Sequence, residues 1–229
     1  MAKPTISSYI RENLEGLERK GEPGPFVTIS CQYGCDGFEL GDLLLQKLDE
    51  QEGEGVWKLY KREIISQLAD DTGLSEELIE REKLTKPSLL RDLFRGVRRN
   101  GMPDGYEIRN KISLMARAIA FEGHAIIIGQ GGTSATADLD NGLRIRIEAP
   151  RDWRVTRISV REKLKKEAAV ARVDEVAKQR RYLHKSYKEK NPREPAFNLT
   201  IDNSLFDIDQ ASDLVMAAME LRSLTEPHK

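Results

Sequence analysis

The sequence predicts an α/β protein in which a mostly parallel β-sheet is covered by helices on both faces. Short runs of aliphatic and β-branched residues alternate along the chain with segments whose apolar residues recur at helical spacing, an order typical of βαβ units. The first of these runs ends in a glycine-containing turn that leads into a helix. With 229 residues, of which 39% are hydrophobic, the chain is long enough to bury the core of one such domain.

Five segments have the composition of β-strands: residues 26–30, 56–60, 125–129, 143–148 and 197–202. The first and third are short, largely apolar and β-branched runs, which are typical of buried strands. The fourth alternates apolar and charged side chains, so we expect a strand with one face in solvent.

Helices are predicted between these strands, because apolar residues recur there three and four positions apart. Their approximate bounds are residues 38–48, 62–71, 75–82 and 108–122, then a basic helical stretch over 151–189 and a last helix after residue 207. The basic stretch contains no proline or glycine. The last helix opens on Asp207-Ile-Asp-Gln210, which resembles a capping box.

The chain is expected to hold a single domain over residues 26–223, preceded by an extension over 1–25 and followed by a short tail over 224–229. Residues 83–105 are charged and broken by prolines and glycines, and residues 160–195 are rich in arginine. We expect both segments to be mobile and to close over a ligand as an insertion and a lid.

Charge and composition limit the partners of the chain. The formal net charge is −1, so the whole molecule does not match the charge of nucleic acid, although arginines and lysines concentrate between Arg144 and Arg193. No apolar run approaches the ~18 residues needed to cross a bilayer, and the N-terminal residues lack the apolar core of a signal peptide. With two cysteines there is no disulfide framework, so we expect a cytoplasmic protein. An oligomer is compatible with the sequence.

The turn after the first strand is a candidate anion site. It lies where open α/β sheets bind ligands, at the carboxyl end of a strand, and it carries two glycines ahead of a helix. Glycines let backbone amides approach an anion, and a helix N-terminus adds partial positive charge. A tight turn without a ligand is the alternative. The candidate cofactor-binding residues are Gly34, Cys35, Asp36, Gly37, Phe38 and Glu39. Residues 34–37 are called the glycine loop below.

Several segments resemble, in the same order, motifs of the cytidylate kinase-like family of P-loop nucleoside monophosphate kinases. In chain order they are residues 29–37 (first strand and phosphate loop), 60–65, 126–129 (third strand), 149–158 (start of the lid) and 197–204 (closing strand). The fourth of them is similar to the family's Ala-Pro-x-x-x-Arg-x-x-Arg-Ile. The resemblance covers about residues 26–223.

This resemblance implies a five-stranded parallel sheet flanked by helices, with a helical lid and a monophosphate-binding insertion. It also implies transfer of a phosphoryl group from ATP to a nucleoside monophosphate such as CMP, with Mg²⁺. Arg154, Arg157 and Arg181 are the candidate catalytic residues, and Arg62 and Gln130 the candidate substrate-binding residues. A solvated helix face, or ion pairs with neighbouring carboxylates, is the alternative for the arginines.

The chain departs from the family's pattern at three positions. Phe38 stands where the phosphate-binding Lys or Arg is expected, Glu39 where a Ser or Thr would hold Mg²⁺, and Gln130 where an Arg follows the third strand. Loss of one charged stabiliser of a phosphoryl transition state typically lowers the rate ~10²–10³-fold, unless Lys61 or Arg62 substitutes. A kinase is favoured, and the alternative is a non-catalytic nucleotide or phosphometabolite sensor on the same fold.

Cys31 and Cys35 allow a third class, a redox protein. They lie four residues apart rather than at the Cys-x-x-Cys spacing of thioredoxin-like proteins. In an extended segment their Cα atoms would be more than ~12 Å apart, so only a curled loop permits a disulfide. The alternative is a pair of small buried thiols. The three histidines have no partner at metal-ligand spacing, so no metal site is predicted.

Overall fold

The computed structural model of the protein describes residues 22–84, 105–188 and 196–225. The sheet consists of β1 (Phe26–Cys31), β2 (Lys58–Tyr60), β3 (Ala125–Ile128), β4 (Gly142–Glu148) and β5 (Leu199–Asp202). The described helices are α1 (Gly37–Glu52), α2 (Glu63–Thr72), α3 (Glu76–Lys83), α4 (Gly105–Glu122), α5 (Gly132–Ala135), α6 (Arg151–Arg161), α7 (Lys166–Lys188) and α8 (Ile208–Leu221).

The sheet is entirely parallel, with the strand order β2-β3-β1-β4-β5. Phe26 of the central strand aligns with Ala125 on one side and with Gly142 on the other. After β1 the chain forms β2 and β3 on one side of it and then β4 and β5 on the other. In such folds the ligand-binding crevice lies where the strand order reverses, which here is the carboxyl end of β1. The predicted five-stranded parallel sheet flanked by helices is confirmed.

Helices cover both faces of the sheet with separate apolar layers. Leu44 of α1 and Met219 of α8 are fully buried on one face. Ile64 of α2, Ile79 of α3 and Ile112 of α4 are buried on the other. Complete burial of such side chains contributes roughly 1.5–3 kcal/mol each, so these two layers hold the strand ends in fixed positions.

The prediction that residues 143–148 form a strand with one face in solvent is wrong. Arg144 is only 1% exposed, and its Nη1 donates to the carbonyls of Thr136 (3.2 Å) and Leu139 (3.0 Å). Arg146 is half-buried and donates to Oγ of Ser30 at 2.9 Å. The strand is paired on both sides, by β1 and β5, and its guanidinium groups tolerate burial because carbonyl and hydroxyl oxygens accept their hydrogen bonds.

The basic stretch over 151–189 is interrupted and forms two helices, α6 and α7. Lys163 adopts a left-handed conformation (φ +53°) in the turn between them. The turn is closed by Ser159, whose carbonyl accepts from the N–H of Leu164 at 2.9 Å and whose hydroxyl donates to the carbonyl of Leu164 at 2.7 Å. Because neither glycine nor proline marks this turn, the interruption has no local signal in the sequence.

Several predictions concern residues outside the described part of the chain. The extension over 1–25 is described from residue 22 and the tail over 224–229 as far as residue 225. Most of the insertion over 83–105, and residues 189–195 of the lid, also lie outside it. The domain bounds and the mobility of insertion and lid therefore stay predictions. Among the described helices, none combines the length and the apolar character that a membrane span needs.

Candidate functional site

A cavity of about 180 Å³ opens at the carboxyl ends of β1 and β3. Its lining comes from β1, from the segment that follows β3, and from parts of α1, α3 and α7. The lining includes Ser30, Cys31, Phe38, Lys83, Gln130 and Arg180. This is the place at which open α/β sheets bind their ligands, so we take it as the candidate site.

Both glycines of the glycine loop allow close packing with neighbouring elements. Gly34 has a φ of +98°, and a Cβ there would lie 2.9 Å from Cβ of Arg154 on α6. A Cβ on Gly37 would lie 2.6 Å from Cβ and 2.7 Å from Sγ of Cys31 on β1. The contacts therefore explain both glycines by packing, and anion binding by the loop stays a prediction.

Asp36 of the glycine loop is enclosed by polar partners. It is 8% exposed, and its N–H donates to Oδ1 of Asn203 at 2.9 Å. Its Oδ1 accepts from Nη2 of Arg157 (2.5 Å) and from Nη2 of Arg161 (2.7 Å). The loop thus carries a buried carboxylate that is bound by two arginines of α6.

The arginines of α6 differ in what they contact. Arg154 is buried, and it donates from Nε to the carbonyl of Ala149 (3.0 Å) and from Nη1 to that of Tyr33 (3.3 Å). Burial lowers the pKa of its guanidinium below the ordinary value. The guanidinium of Arg157 lies 4.6 Å from the centre of the Trp153 ring. Arg154 therefore joins the backbone just before the glycine loop to the backbone just after β4, whereas Arg157 is oriented towards the loop itself.

Two cations reach the cavity from helices in the described part of the chain. Lys83 is 8% exposed, its Nζ donates to Oε1 of Gln130 at 3.3 Å, and it forms an ion pair with Glu80. Burial lowers the pKa of Lys83, while the Glu80 carboxylate acts in the opposite direction. Arg180 donates from Nη1 to the carbonyl of Cys31. Positive charge thus comes from α3 and α7 rather than from the glycine loop.

The segment after β3 makes a turn with unusual backbone angles at the cavity wall. Gly129 (φ +70°), Gln130 (φ +52°) and Gly131 (φ +73°) adopt left-handed conformations in succession. Such a conformation is uncommon for a residue other than glycine, and backbone strain concentrates at functional sites. The turn places the Gln130 side chain beside Lys83, and a substrate-binding role for Gln130 stays a prediction.

Comparison with known protein families assigns the chain to one of them. A model described as the cytidylate kinase-like family matches residues 26–205, which is most of the chain. The chain belongs to the cytidylate kinase-like family. The family resemblance predicted from the order of the sequence motifs is confirmed.

Solved structures with a similar fold include an uncharacterized protein from Eubacterium ventriosum ATCC 27560. It has a TM-score of 0.61 and 18% identity, and the match covers 86% of this chain and 98% of that one, which shows a shared fold. A shikimate kinase from Bacteroides thetaiotaomicron has a TM-score of 0.46 and 11% identity, with 86% of this chain and 97% of that one covered. Among curated proteins, none matches the chain.

This cytidylate kinase-like chain places its predicted cofactor-binding residues around the start of α1. Phe38 is 44% exposed and lines the cavity. The Glu39 carboxylate is exposed and lies 3.7 Å from Nη2 of Arg161. Cys35 is buried, and burial, with Cys31 adding to it, raises its pKa to about 12. Because thiol exchange needs the thiolate, this buried thiol does not favour the redox alternative.

Three further basic residues lie away from the cavity lining. Arg62 is exposed and pairs with Glu76 at 3.3 Å, and Lys61 pairs with a carboxylate of α1 at 2.5 Å. Arg181 is exposed on α7, next to the cavity-lining Arg180, because successive helical residues point in different directions. Catalytic and substrate-binding roles for Arg181 and Arg62 stay predictions.

Sequence analysis did not predict Lys83 and Arg180 as residues of the cavity. Lys83 ends a helix rich in glutamate, where a solvated lysine is expected, and its contact with Gln130 joins two segments that are distant in the sequence. Arg180 follows the buried Val173 by seven residues, which is two helical turns. That spacing is the signal by which helix periodicity could have distinguished Arg180 from Arg181.

The described residues do not fit a Mg²⁺ ion held by the protein alone. Within them, no group of three or more His, Cys, Asp and Glu side chains is placed to hold a metal. Mg²⁺ usually takes one or two carboxylates together with the phosphates of a nucleotide. The carboxylate of the glycine loop, Asp36, is already bound to Arg157 and Arg161.

Proposed function

We propose that this chain binds a phosphorylated nucleotide in the cavity at the carboxyl ends of β1 and β3. We further propose that it transfers a phosphoryl group from ATP to a nucleoside monophosphate such as CMP. The supporting observation is the pair of cations, Lys83 and Arg180, that two separate helices bring to this cavity. The choice of ATP and CMP follows from membership of the cytidylate kinase-like family.

Positive charge at this place suits phosphate chemistry. Phosphoryl transfer depends mainly on positioning the phosphates and on stabilising their charge. Lys83 offers a point charge with three donors, and Arg180 offers a planar fork of donors that matches phosphate oxygens. A phosphate bound between them would replace the internal acceptors, the Gln130 side chain and the Cys31 carbonyl.

The size and lining of the cavity indicate which part of a nucleotide it holds. Its volume of about 180 Å³ is below the roughly 300–1,000 Å³ of ordinary ligand pockets. It therefore suits the phosphate and the adjoining sugar rather than a whole nucleotide. Phe38, Ile128 and Leu183 add apolar surface against which the uncharged part of the ligand would pack.

A second candidate function is binding of a nucleotide or phosphometabolite without transfer. It is favoured by Phe38, which follows the glycine loop directly and takes the place of the expected cation. In addition, Arg157 and Arg161 are bound to the Asp36 carboxylate. Such a loop stabilises the charge of a transferring phosphate less well than one with a free cation. On this alternative the chain would act as a sensor.

Titration calorimetry with CMP, followed by an assay of ADP formation from ATP, CMP and Mg²⁺, separates the two functions. We expect CMP to bind and ADP to form only when CMP is present. CMP binding without ADP formation would establish the sensor and exclude the kinase. Failure to bind CMP, AMP, UMP and inorganic phosphate would refute the proposed site altogether.

A further inference from the structure

Arg109 is a buried charge on α4 that lies outside the cavity lining. It is 4% exposed, and its Nη1 donates to the backbone carbonyl of Lys83 at 2.8 Å. Lys83 is the last residue of α3. The last four carbonyls of an α-helix have no partner within the helix, and an arginine side chain can donate to them. Arg109 therefore caps α3 at the residue whose side chain lines the cavity.

A second contact places the same guanidinium against α7. It lies 5.7 Å from the centre of the Tyr182 ring, a distance at which a cation is attracted to an aromatic face. One turn before Arg109 in α4, a Cβ on Gly105 would collide with the carbonyl oxygen of Glu82, so the start of α4 packs directly on the end of α3. Arg109 is thus held between α3 and α7.

Contacts at both ends of the residue fix Lys83. Its carbonyl accepts from Arg109, and its Nζ donates to Oε1 of Gln130 at 3.3 Å on the cavity wall. A lysine side chain is long and flexible, so its ammonium reaches a defined point only if the backbone that carries it is held. A misplacement of about 1 Å in a group that positions a substrate can lower the rate ~10²-fold. The Arg109 contact therefore bears on the ligand site although it lies outside the cavity.

We propose that Arg109 is a positioning residue, which holds the end of α3 so that the Lys83 ammonium faces the ligand. The inference rests on the proposed function, in which Lys83 binds a phosphate. Arg109 acts through Lys83, because its Nη1 is engaged by the Lys83 carbonyl and the ligand meets the ammonium instead. Tyr182 of α7 keeps the guanidinium in place.

A role for Arg109 in stability alone makes different predictions. If Arg109 only fastens α4 to α3, its removal lowers the free energy of unfolding, and any loss of CMP affinity adds to the loss caused by Lys83→Met. If Arg109 acts through Lys83, its removal weakens CMP binding only while the lysine is present. A double-mutant cycle therefore separates the two roles.

The first test is titration calorimetry of the full chain with CMP. We expect Arg109→Met to weaken CMP binding about tenfold, because the charge-assisted hydrogen bond from Lys83 to the ligand is partly lost. In the Lys83→Met background, Arg109→Met should change CMP affinity by less than about twofold. Arg109→Lys, which keeps a donor for the Lys83 carbonyl, should recover part of the affinity.

The matched control is Arg117→Met on the same helix. Arg117 also donates to a backbone carbonyl, that of Ala135 at 3.1 Å, and it pairs with Asp138 at 2.5 Å. These three residues lie outside the cavity lining, so we expect CMP affinity to stay within about twofold. If Arg109→Met fails to fold, Tyr182→Leu removes the ring that holds the guanidinium and should weaken CMP binding about threefold, again only when Lys83 is present.

The second test needs no ligand. Acetic anhydride acetylates exposed lysine amines, and mass spectrometry of the peptides gives the rate at each lysine. Lys83 is 8% exposed, so its rate should be low relative to that of Lys61, whose side chain is 30% exposed. Arg109→Met should raise this ratio about tenfold, because the ammonium is released from its buried position.

Two outcomes would overturn the inference. One is a CMP affinity that Arg109→Met leaves unchanged, or lowers equally with and without Lys83. The other is an unchanged acetylation ratio for Lys83 in both Arg109→Met and Tyr182→Leu. Failure of the unchanged chain to bind CMP would instead refute the proposed function, and the acetylation ratio would still decide whether Arg109 positions Lys83.

Discussion

Replacement of Lys83 by Met tests whether the buried ammonium is the cation that binds the ligand. Lys83 ends α3, lines the cavity and contacts the Gln130 side chain. Met keeps a long, flexible side chain of similar volume and removes the charge. The substitution therefore removes the positive charge of Lys83 while keeping the packing of its aliphatic side chain.

The expected loss of affinity follows from one charge-assisted hydrogen bond. Such bonds are worth about 1.5–3 kcal/mol, which corresponds to a roughly 10- to 150-fold weaker CMP affinity. Stability should change much less. The Lys83 side chain is 10% exposed, so its loss relieves a desolvation cost, while its partner Glu80 is 34% exposed and regains water. These effects oppose each other, and we expect the free energy of unfolding to change by about 1 kcal/mol or less.

Titration calorimetry with CMP measures the affinity, and urea denaturation measures stability. The matched control is Lys61→Met, which removes a lysine paired with Asp42 at 2.5 Å outside the cavity lining. It should leave CMP affinity within about twofold. Equal CMP affinities for Lys83→Met and the unchanged chain would refute the assignment of Lys83 to the ligand site.

Three further predictions follow from the same contacts. Burial lowers the pKa of Lys83 below its ordinary 10.5, so CMP affinity should fall with rising pH before a solvated lysine would deprotonate, and Lys83→Met should abolish this fall. In the same pH interval the unfolded chain binds more protons than the folded one, so the free energy of unfolding should rise with pH. Phe38→Arg should raise ATP affinity by about 1–3 kcal/mol in calorimetry. Because Phe38 is 44% exposed, the melting temperature should barely change, and a large drop in melting temperature would show that Phe38 anchors the core instead. Gly37→Val should lower the free energy of unfolding in urea by about 1–3 kcal/mol, because its Cβ would lie 2.6 Å from that of Cys31; an unchanged midpoint would contradict this packing.

Local sequence patterns correctly predict the features that depend on neighbouring residues alone, namely one helix cap and two buried strands. The capping box at Asp207 is present, since its carboxylate accepts from the N–H of Gln210 (2.9 Å) and the Gln210 side chain accepts from the N–H of Asp207 (3.1 Å). β1 and β3 end within one residue of their predicted bounds, because aliphatic runs between turn residues have few alternatives to a buried strand. Interactions within a few residues suffice to determine these features.

The alternation in β4 predicts a solvent-exposed face, whereas Arg144 on that face is buried and Arg146 is half-buried. Periodicity reports which side chains point the same way, but burial depends on what covers that side. The segment between β3 and β4 lies over Arg144, and the carbonyls of Thr136 and Leu139 in it accept hydrogen bonds from its guanidinium. A buried arginine therefore has the same local sequence pattern as a solvated one.

The sequence by itself determined the order of strands and helices, the family, and the place of the glycine loop at the end of the first strand. Only the tertiary structure determined which charged side chains contact one another near the end of that strand. Asp36 and Arg157 are 121 residues apart in the chain, and Lys83 and Gln130 are 47 apart. Local periodicity carries no information about such distances, because they depend on how α3, α6 and α7 pack around the strand ends. Burial then determines which basic residues stay solvated and which, like Lys83, face the cavity with a lowered pKa.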